Sequence, residues 1–246
     1  MDLLVAPGLE GRGVLAAFTE RAGGVSSAPF QSLNLGFRTG DQTARVRRNR
    51  KRVASSLRIS AFASARQVHG VRAVRVGPRR AGAGFEDPST ALPPADILVT
   101  RGRGIPLAVL TADCVPVVVA SDDLVVVVHA GWRGLAGGIL DRAVELFPEP
   151  RAAAAAVGPA IGPCHFEVGD DVARAVAAGS PAGVVRRKNR ESLFLDLPAT
   201  AARVLRARGI RSVDLAETCT ACRGDRFFSH RRDGVTGRQA AIAMRM

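Results

Sequence analysis

The chain is poor in lysine, histidine and tryptophan. Of its 35 basic residues only Lys51 and Lys188 are lysines, and it has four histidines and one tryptophan. No apolar run approaches the length of a membrane span; the longest, around residues 124–130, is strand-sized. Residues 1–7 lack a basic segment followed by a long apolar one, which predicts no signal peptide, a cytoplasmic protein and no membrane partner. There is no internal repeat and no low-complexity linker, so one domain over 1–246 is expected. No G-x-G-x-x-G follows a strand and no G-x-x-x-x-G-K-[ST] loop occurs, which excludes the common nucleotide-binding folds.

What is present is apolar bulk and arginine. With 246 residues and 47% hydrophobic content, the chain is long and apolar enough for a packed core. The net charge of +13 rests on scattered arginines and reads as compositional bias. The densest basic cluster, residues 45–52, falls in a helical stretch without interleaved aromatics. An anionic small molecule is therefore the expected partner, and no nucleic acid. The four cysteines, Cys114, Cys164, Cys219 and Cys222, read as reduced thiols or metal ligands.

Short Val- and Ile-rich runs predict strands near 14–18, 71–76, 97–100, 107–110, 116–120, 124–129, 153–157, 193–197, 213–215 and 240–244. Asp41 can cap a helix running to Leu57, with Val46, Val53 and Leu57 inward. Helices are also expected over 135–147, 170–178 and 198–208. Gly82 to Pro94 reads as a long surface loop, of the kind that often carries function. Hairpins mixed with helices predict an α+β (mixed α/β) fold.

The most informative segment runs from Leu107 to Gly134. Its last two strands form a hairpin around Ser121-Asp122-Asp123. A two-residue loop at Ser121-Asp122 puts Cys114 directly opposite His129, with Cβ atoms about 4.5–5.5 Å apart. A loop at Asp122-Asp123 makes them diagonal neighbours on one face. Such a pair reads as a buried thiol beside a core imidazole, as a nucleophile and its base, or as two ligands of one metal. Asp113 adds a carboxylate, and Gly131-Trp132-Arg133-Gly134 adds a glycine-flanked turn with a cation, which together make poor core material. That turn opens the 135–147 helix, whose N-terminus suits an anion.

At these residues the chain resembles the YfiH-like multicopper polyphenol oxidase (laccase-domain) family, whose members are also described as purine nucleoside phosphorylases. The shared motifs run through nearly the whole chain. They include Phe18-Thr19-Glu20-Arg21, Ser32-Leu33-Asn34-Leu35-Gly36, Asn49-Arg50, Gln67-Val68-His69-Gly70, Ala95-Asp96, Ala112-Asp113-Cys114-Val115-Pro116, His129-Ala130-Gly131-Trp132-Arg133-Gly134, Gly158-Pro159, Phe227-Phe228-Ser229, Arg231-Arg232-Asp233 and Thr236-Gly237-Arg238. Where the family often has Tyr before the two arginines, this chain has His230.

The resemblance implies a fold similar to the toxin deamidases and a metal site of His69, Cys114 and His129. Two imidazoles and a thiolate suit Zn²⁺, and three protein ligands leave a catalytic position open. Copper is disfavoured, because four histidines cannot assemble a multicopper set. The resemblance further implies phosphorolysis of adenosine, inosine, guanosine and S-methyl-5′-thioadenosine, and deamination of adenosine; a monomer or weak homodimer is expected. Arg50, Arg133 or Arg21 would hold phosphate, with Asn34 and Gln67 as further substrate-binding positions. Asp113 is the candidate general acid/base, or else it orients a zinc-bound histidine. The rivals are a cysteine hydrolase using Cys114 and His129, peptidoglycan-precursor editing, and an RNA-binding module. Cys219-Thr220-Ala221-Cys222 has no second C-x-x-C to complete a structural zinc site and reads as a loop with two thiols. His165 is expected in a structural or substrate-edge role.

Overall fold

A computed structural model describes residues 3–180, 183, 185–187 and 192–246. The strands in chain order begin with β1 (Leu3–Val5), β2 (Val14–Thr19), β3 (Ala73–Arg75), β4 (Ile97–Thr100), β5 (Leu107–Thr111), β6 (Val115–Ala120) and β7 (Val125–Ala130). There follow β8 (Ala154–Val157), β9 (Glu167–Val168), β10 (Val185–Arg187), β11 (Leu193–Leu195), β12 (Ser212–Leu215) and β13 (Gln239–Arg245). The helices are α1 (Pro7–Glu10), α2 (Thr43–Ser56), α3 (Trp132–Ala136), α4 (Ile139–Val144), α5 (Asp170–Gly179), α6 (Leu197–Ala207) and α7 (His230–Asp233).

Among the described residues, a three-stranded sheet of order β10-β11-β9 accompanies two main sheets that stack between two helical layers. The larger has the order β12-β8-β6-β7-β4-β3, with parallel pairs only at β12-β8 and β3-β4. The smaller has the order β1-β2-β13-β5 and is antiparallel throughout. One face of the large sheet, with Leu98, Val118, Val125 and Val127, packs on Ala16, Leu107, Val109 and Ala241 of the small one. Its other face, with Val99, Val117, Val126 and Val128, is covered by Leu135, Leu140, Leu197 and Leu205 of the helices. The outer face of the small sheet packs Ala108, Ala240 and Ile242 on Val53 and Ala54 of α2 and on Phe62. Burial on both faces explains why β6 and β7 read as unbroken valine runs rather than as an alternation.

The expected mixed α/β class and the ten expected strands are all present. Two local readings differ. The helix expected over 135–147 is divided into α3 and α4, because Gly137 and Gly138 intervene and Gly138 has a left-handed φ of 75°. Asp41 does not cap α2. Gln42 holds the cap position without a side-chain bond, while the Asp41 carboxylate accepts from Ser26 Oγ and Asn34 Nδ2. No helix among the described residues is long and apolar enough to cross a membrane.

Candidate metal centre and substrate cavity

The hairpin takes the second of the two registers its sequence allows. Ser121 N–H donates to the Leu124 carbonyl, Asp122-Asp123 forms the loop, and Pro116 rather than Cys114 lies opposite His129. Cys114 stands just before β6, in step with Val118, and His129 follows Val125 and Val127. Both therefore face the small sheet as diagonal neighbours.

His69 arrives from a separate loop, and Asp96 joins the two. The Asp96 carboxylate, fully buried at the start of β4, accepts from the backbone N–H groups of Val68, His69 and Gly70. Collecting successive N–H groups on one anion bends the loop, and His69 sits in the left-handed region at φ 59°. The same carboxylate accepts from His129 Nδ1 at 2.8 Å, which fixes that ring and leaves Nε2 toward Cys114. Burial pushes the Asp96 carboxyl up, but the His129 and backbone hydrogen bonds outweigh it and hold it below its ordinary value.

The three candidate ligands converge. Cys114 Sγ lies 3.8 Å from His69 Nε2, the two imidazole centroids are 4.8 Å apart, and one donor atom from each residue lies within 4.8 Å of the others. A tetrahedral zinc with about 2.3 Å to sulfur and about 2.0–2.1 Å to nitrogen needs S···N separations of about 3.5 Å. The donor set and spacing therefore fit the metal that the family resemblance implies. Gly131 makes the approach possible: a Cβ there would lie 3.0 Å from both Cys114 Sγ and His69 Cδ2. Burial pushes the Cys114 thiol up, but the facing imidazoles, His129 first, bring it down to about 6. Burial lowers His129 in turn, and the Cys114 thiolate and Asp96 raise it to about 9. The metal-free pair is thus charge-separated, with the sulfur in its ligating form.

The centre opens into a cavity of about 630 Å³. Arg38, Arg50, Arg66, Arg133 and Arg238 line it, and no carboxylate does among the described residues. Arg133 is exposed and lies over the Trp132 ring at 4.2 Å. Arg50 is only 2% exposed. Its Nε donates to the Leu35 carbonyl and its Nη1 to the Gly84 carbonyl, and its guanidinium lies 4.4 Å from the Phe37 ring centroid and 5.2 Å from that of Phe62. Burial lowers Arg50 to about 9, still cationic at neutral pH. Thr111 is 1% exposed, lines the cavity, and its Oγ1 has no partner among the described residues. The expected loop at 82–94 contributes Gly84, Pro88 and Ala91 to the wall.

Several expected site residues have other duties. Asp113 does not line the cavity; its Oδ1 accepts from Thr220 Oγ1 and its Oδ2 from Arg231 N–H. It braces the turn before Cys114 at a φ of 97°, and the residue that orients a histidine is Asp96. With both oxygens engaged away from the cavity, Asp113 is poorly placed as a general acid/base. Asn34 is fully buried and engaged: its Nδ2 donates to Thr39 and Asp41, and its Oδ1 accepts from Gly36 and Arg238 N–H. It shapes the wall from behind and does not line it. Gln67 lines the wall, but its amide pairs at both ends with the Leu110 backbone, each at 2.7 Å. Arg21 is tied to the Gln31 and Gly224 carbonyls outside the cavity. His230 lines the cavity and its Nδ1 bonds the Gly234 carbonyl. Asp96, Thr111 and Arg238 were not foreseen. Asp96 and Arg238 each had a signal, as parts of the Ala95-Asp96 and Thr236-Gly237-Arg238 motifs, without an assigned role.

The family model described as multi-copper polyphenol oxidoreductase laccase matches residues 15–246. The purine nucleoside phosphorylase YlmD of Geobacillus stearothermophilus is 38% identical, over 94% of this chain and 89% of that protein. The purine nucleoside phosphorylase YfiH of Escherichia coli K12 is 34% identical, over 98% of this chain and 97% of that protein. The crystal structure of the Geobacillus YlmD superposes with a TM-score of 0.91 at 37% identity, covering 98% of this chain and 94% of that one. With sequence and fold in agreement, the chain belongs to the multi-copper polyphenol oxidoreductase laccase family, among its YfiH-like members.

Proposed function

We propose that the protein is a zinc-dependent purine nucleoside phosphorylase. The observation that carries this reading is a cavity with the His69, Cys114 and His129 cluster in its wall, five arginines, and no carboxylate among the described residues. Its volume suits a nucleoside together with phosphate. In phosphorolysis a phosphate oxygen bonds to ribose C1′ as the C1′–N9 bond breaks. The purine leaves with the electron pair, and the proton of monohydrogen phosphate ends on the base. The nucleophile is already an anion, so the cavity needs cations to hold it rather than a carboxylate base. Arg133 at the open rim and Arg50 in the wall supply fixed positive charge, and Thr111 Oγ1 offers a buried hydroxyl to substrate. His69, Cys114 and His129 would hold a zinc ion, which would supply an electropositive, Lewis-acidic position. His129 donates its Nδ1–H to the Asp96 carboxylate, so Nε2 would be the ligating nitrogen.

The arrangement favours phosphorolysis over deamination. Zinc deaminases move protons with a glutamate next to the metal, and none lines this cavity among the described residues. Relatives at 34–42% identity carry the name purine nucleoside phosphorylase, which supports the same reading. The test is base release from adenosine, inosine, guanosine and S-methyl-5′-thioadenosine with and without phosphate. Phosphate-dependent release with pentose 1-phosphate as co-product is expected. Release at the same rate without phosphate would contradict the proposal.

A second reading has its own observation. Cys114, His129 and Asp96 form a sulfur–imidazole–carboxylate chain of the kind that activates a cysteine nucleophile. His69, held against the same sulfur, has no part in that dyad and favours the metal.

A further inference from the structure

The second C-x-x-C partner absent from the linear sequence is supplied by the fold. Cys164 and His165 lie in the turn after β8, and Cys219 and Cys222 in the loop after β12. The parallel pairing of β8 with β12 brings the two segments side by side. The alignment continues past the strands in an isolated bridge between Ala160 and Cys219, with Thr220 N–H donating to the Ala160 carbonyl.

The four side chains gather around one point. Cys164 Sγ lies 3.4 Å from Cys222 Sγ, and His165 Nδ1 lies 3.3 Å from Cys164 Sγ, 3.4 Å from Cys222 Sγ and 3.9 Å from Cys219 Sγ. All four donor atoms lie within 4.8 Å of one another. The edges of a tetrahedral zinc site with three sulfurs and one nitrogen are about 3.8 Å for S···S and about 3.5 Å for S···N. Gly162 N–H donates to Cys219 Sγ at 3.2 Å, the kind of outer hydrogen bond that steadies a metal thiolate. Cys164, His165 and Cys222 are exposed, so hydrophobic burial does not account for their meeting. None of the four lines the catalytic cavity.

We infer that Cys164, His165, Cys219 and Cys222 form a second, structural zinc site. Four protein donors close the coordination sphere and leave no position for substrate, unlike the three-ligand centre. The ion would clamp the two loops that brace the catalytic turn. Thr220, next to Cys219, donates to Asp113 at 2.6 Å, and Ile161 N–H donates to the Asp113 carbonyl at 2.9 Å. Arg231 donates from its backbone to Asp113 and from Nη1 to the His165 carbonyl. Asp113 immediately precedes Cys114. The four donors are thus cross-linked to the main-chain position of a ligand in the other centre.

This inference is independent of the nucleoside reading, and metal stoichiometry separates the two. Protein purified under reducing conditions and supplied with zinc should carry two zinc ions per chain. His69→Ala should carry one. Cys164→Ser/Cys222→Ser should also carry one, with a lower Tm. If that double variant does not fold, cobalt(II) loaded into His69→Ala gives a second readout. Intense sulfur-to-cobalt charge transfer from three thiolates and tetrahedral d–d bands are expected. A single zinc in the wild type that vanishes in His69→Ala would overturn the inference. So would cobalt-loaded His69→Ala without thiolate bands. A Cys164–Cys222 disulfide found by peptide mass spectrometry in the freshly purified, reduced protein would overturn it as well.

Discussion

The carboxylate of Asp96 accepts from His129 Nδ1 at 2.8 Å and, in the same buried position, gathers the backbone N–H groups of the loop that carries His69. One side chain thus sets both imidazoles of the candidate centre. Outer partners of this kind typically govern metal affinity by about 10–100-fold. Asp96→Asn keeps the size but turns a pure acceptor into a half-donor facing four donors. Zinc affinity, measured by competition with a chromophoric chelator, should fall within that range. Wild-type affinity in the variant would show that Asp96 does not position the ligands.

Gly131 offers a purely steric test. Its φ of −80° and ψ of 173° suit any residue, so Gly131→Ala imposes no backbone strain. The new methyl meets Cys114 Sγ and His69 Cδ2 at 3.0 Å. The metal-free variant should keep its Tm to within a few degrees. Its zinc affinity should drop about 5- to 150-fold, the equivalent of the roughly 1–3 kcal/mol that overpacking costs.

Arg50 and Arg133 should separate into a stability effect and a binding effect. Replacing Arg50 with Met strands the Leu35 and Gly84 carbonyls and removes two cation–π contacts. A loss of about 2–4 kcal/mol is expected in urea unfolding. Lysine should not rescue it, because one ammonium cannot reproduce the planar fork. Arg133→Ala removes an exposed side chain and should leave stability within about 0.5 kcal/mol, while raising the KM for phosphate. An Arg133→Ala enzyme with wild-type phosphate dependence would remove that residue from the anion site.

The one tryptophan gives a direct reporter. Arg133 lies over Trp132 at 4.2 Å, so phosphate drawn to the guanidinium should change the cation–π contact and the fluorescence. A saturable phosphate-dependent change is expected in the wild type and should disappear in Arg133→Ala. The same change persisting in that variant would place the anion elsewhere.

The metal-ligand geometry was partly legible because it lies largely on a hairpin, where local arithmetic applies. The sequence restricted Cys114 and His129 to one face and left two registers, and the Asp122-Asp123 loop realises the diagonal one. What could not be read depends on distant segments meeting. Asp96 touches residues some thirty positions away on both sides, and Cys164 meets Cys222 only because β8 and β12 pair in parallel. Asn34 and Asp113 looked chemical in their motifs because polar residues that brace a site share its neighbourhood. Only their hydrogen bonds, which go to protein partners and leave their polar atoms off the cavity surface, distinguish them from substrate contacts. The central strands were legible because burial on both faces leaves dense valine and alanine runs, whereas the short β1, β9 and β10 are not among the expected strands.

The most direct measurement is alkylation of Cys114 with and without metal, alongside the zinc content and activity of His69→Ala. A thiol brought down to about 6 is thiolate at neutral pH in the metal-free protein and should react rapidly with iodoacetamide. With zinc bound, the sulfur is a ligand, so the loaded enzyme should be protected. His69→Ala should lose both this zinc and its activity. Stoichiometric inactivation of the zinc-loaded enzyme, together with an active His69→Ala variant lacking zinc at this centre, would contradict the metal assignment and make Cys114 a nucleophile.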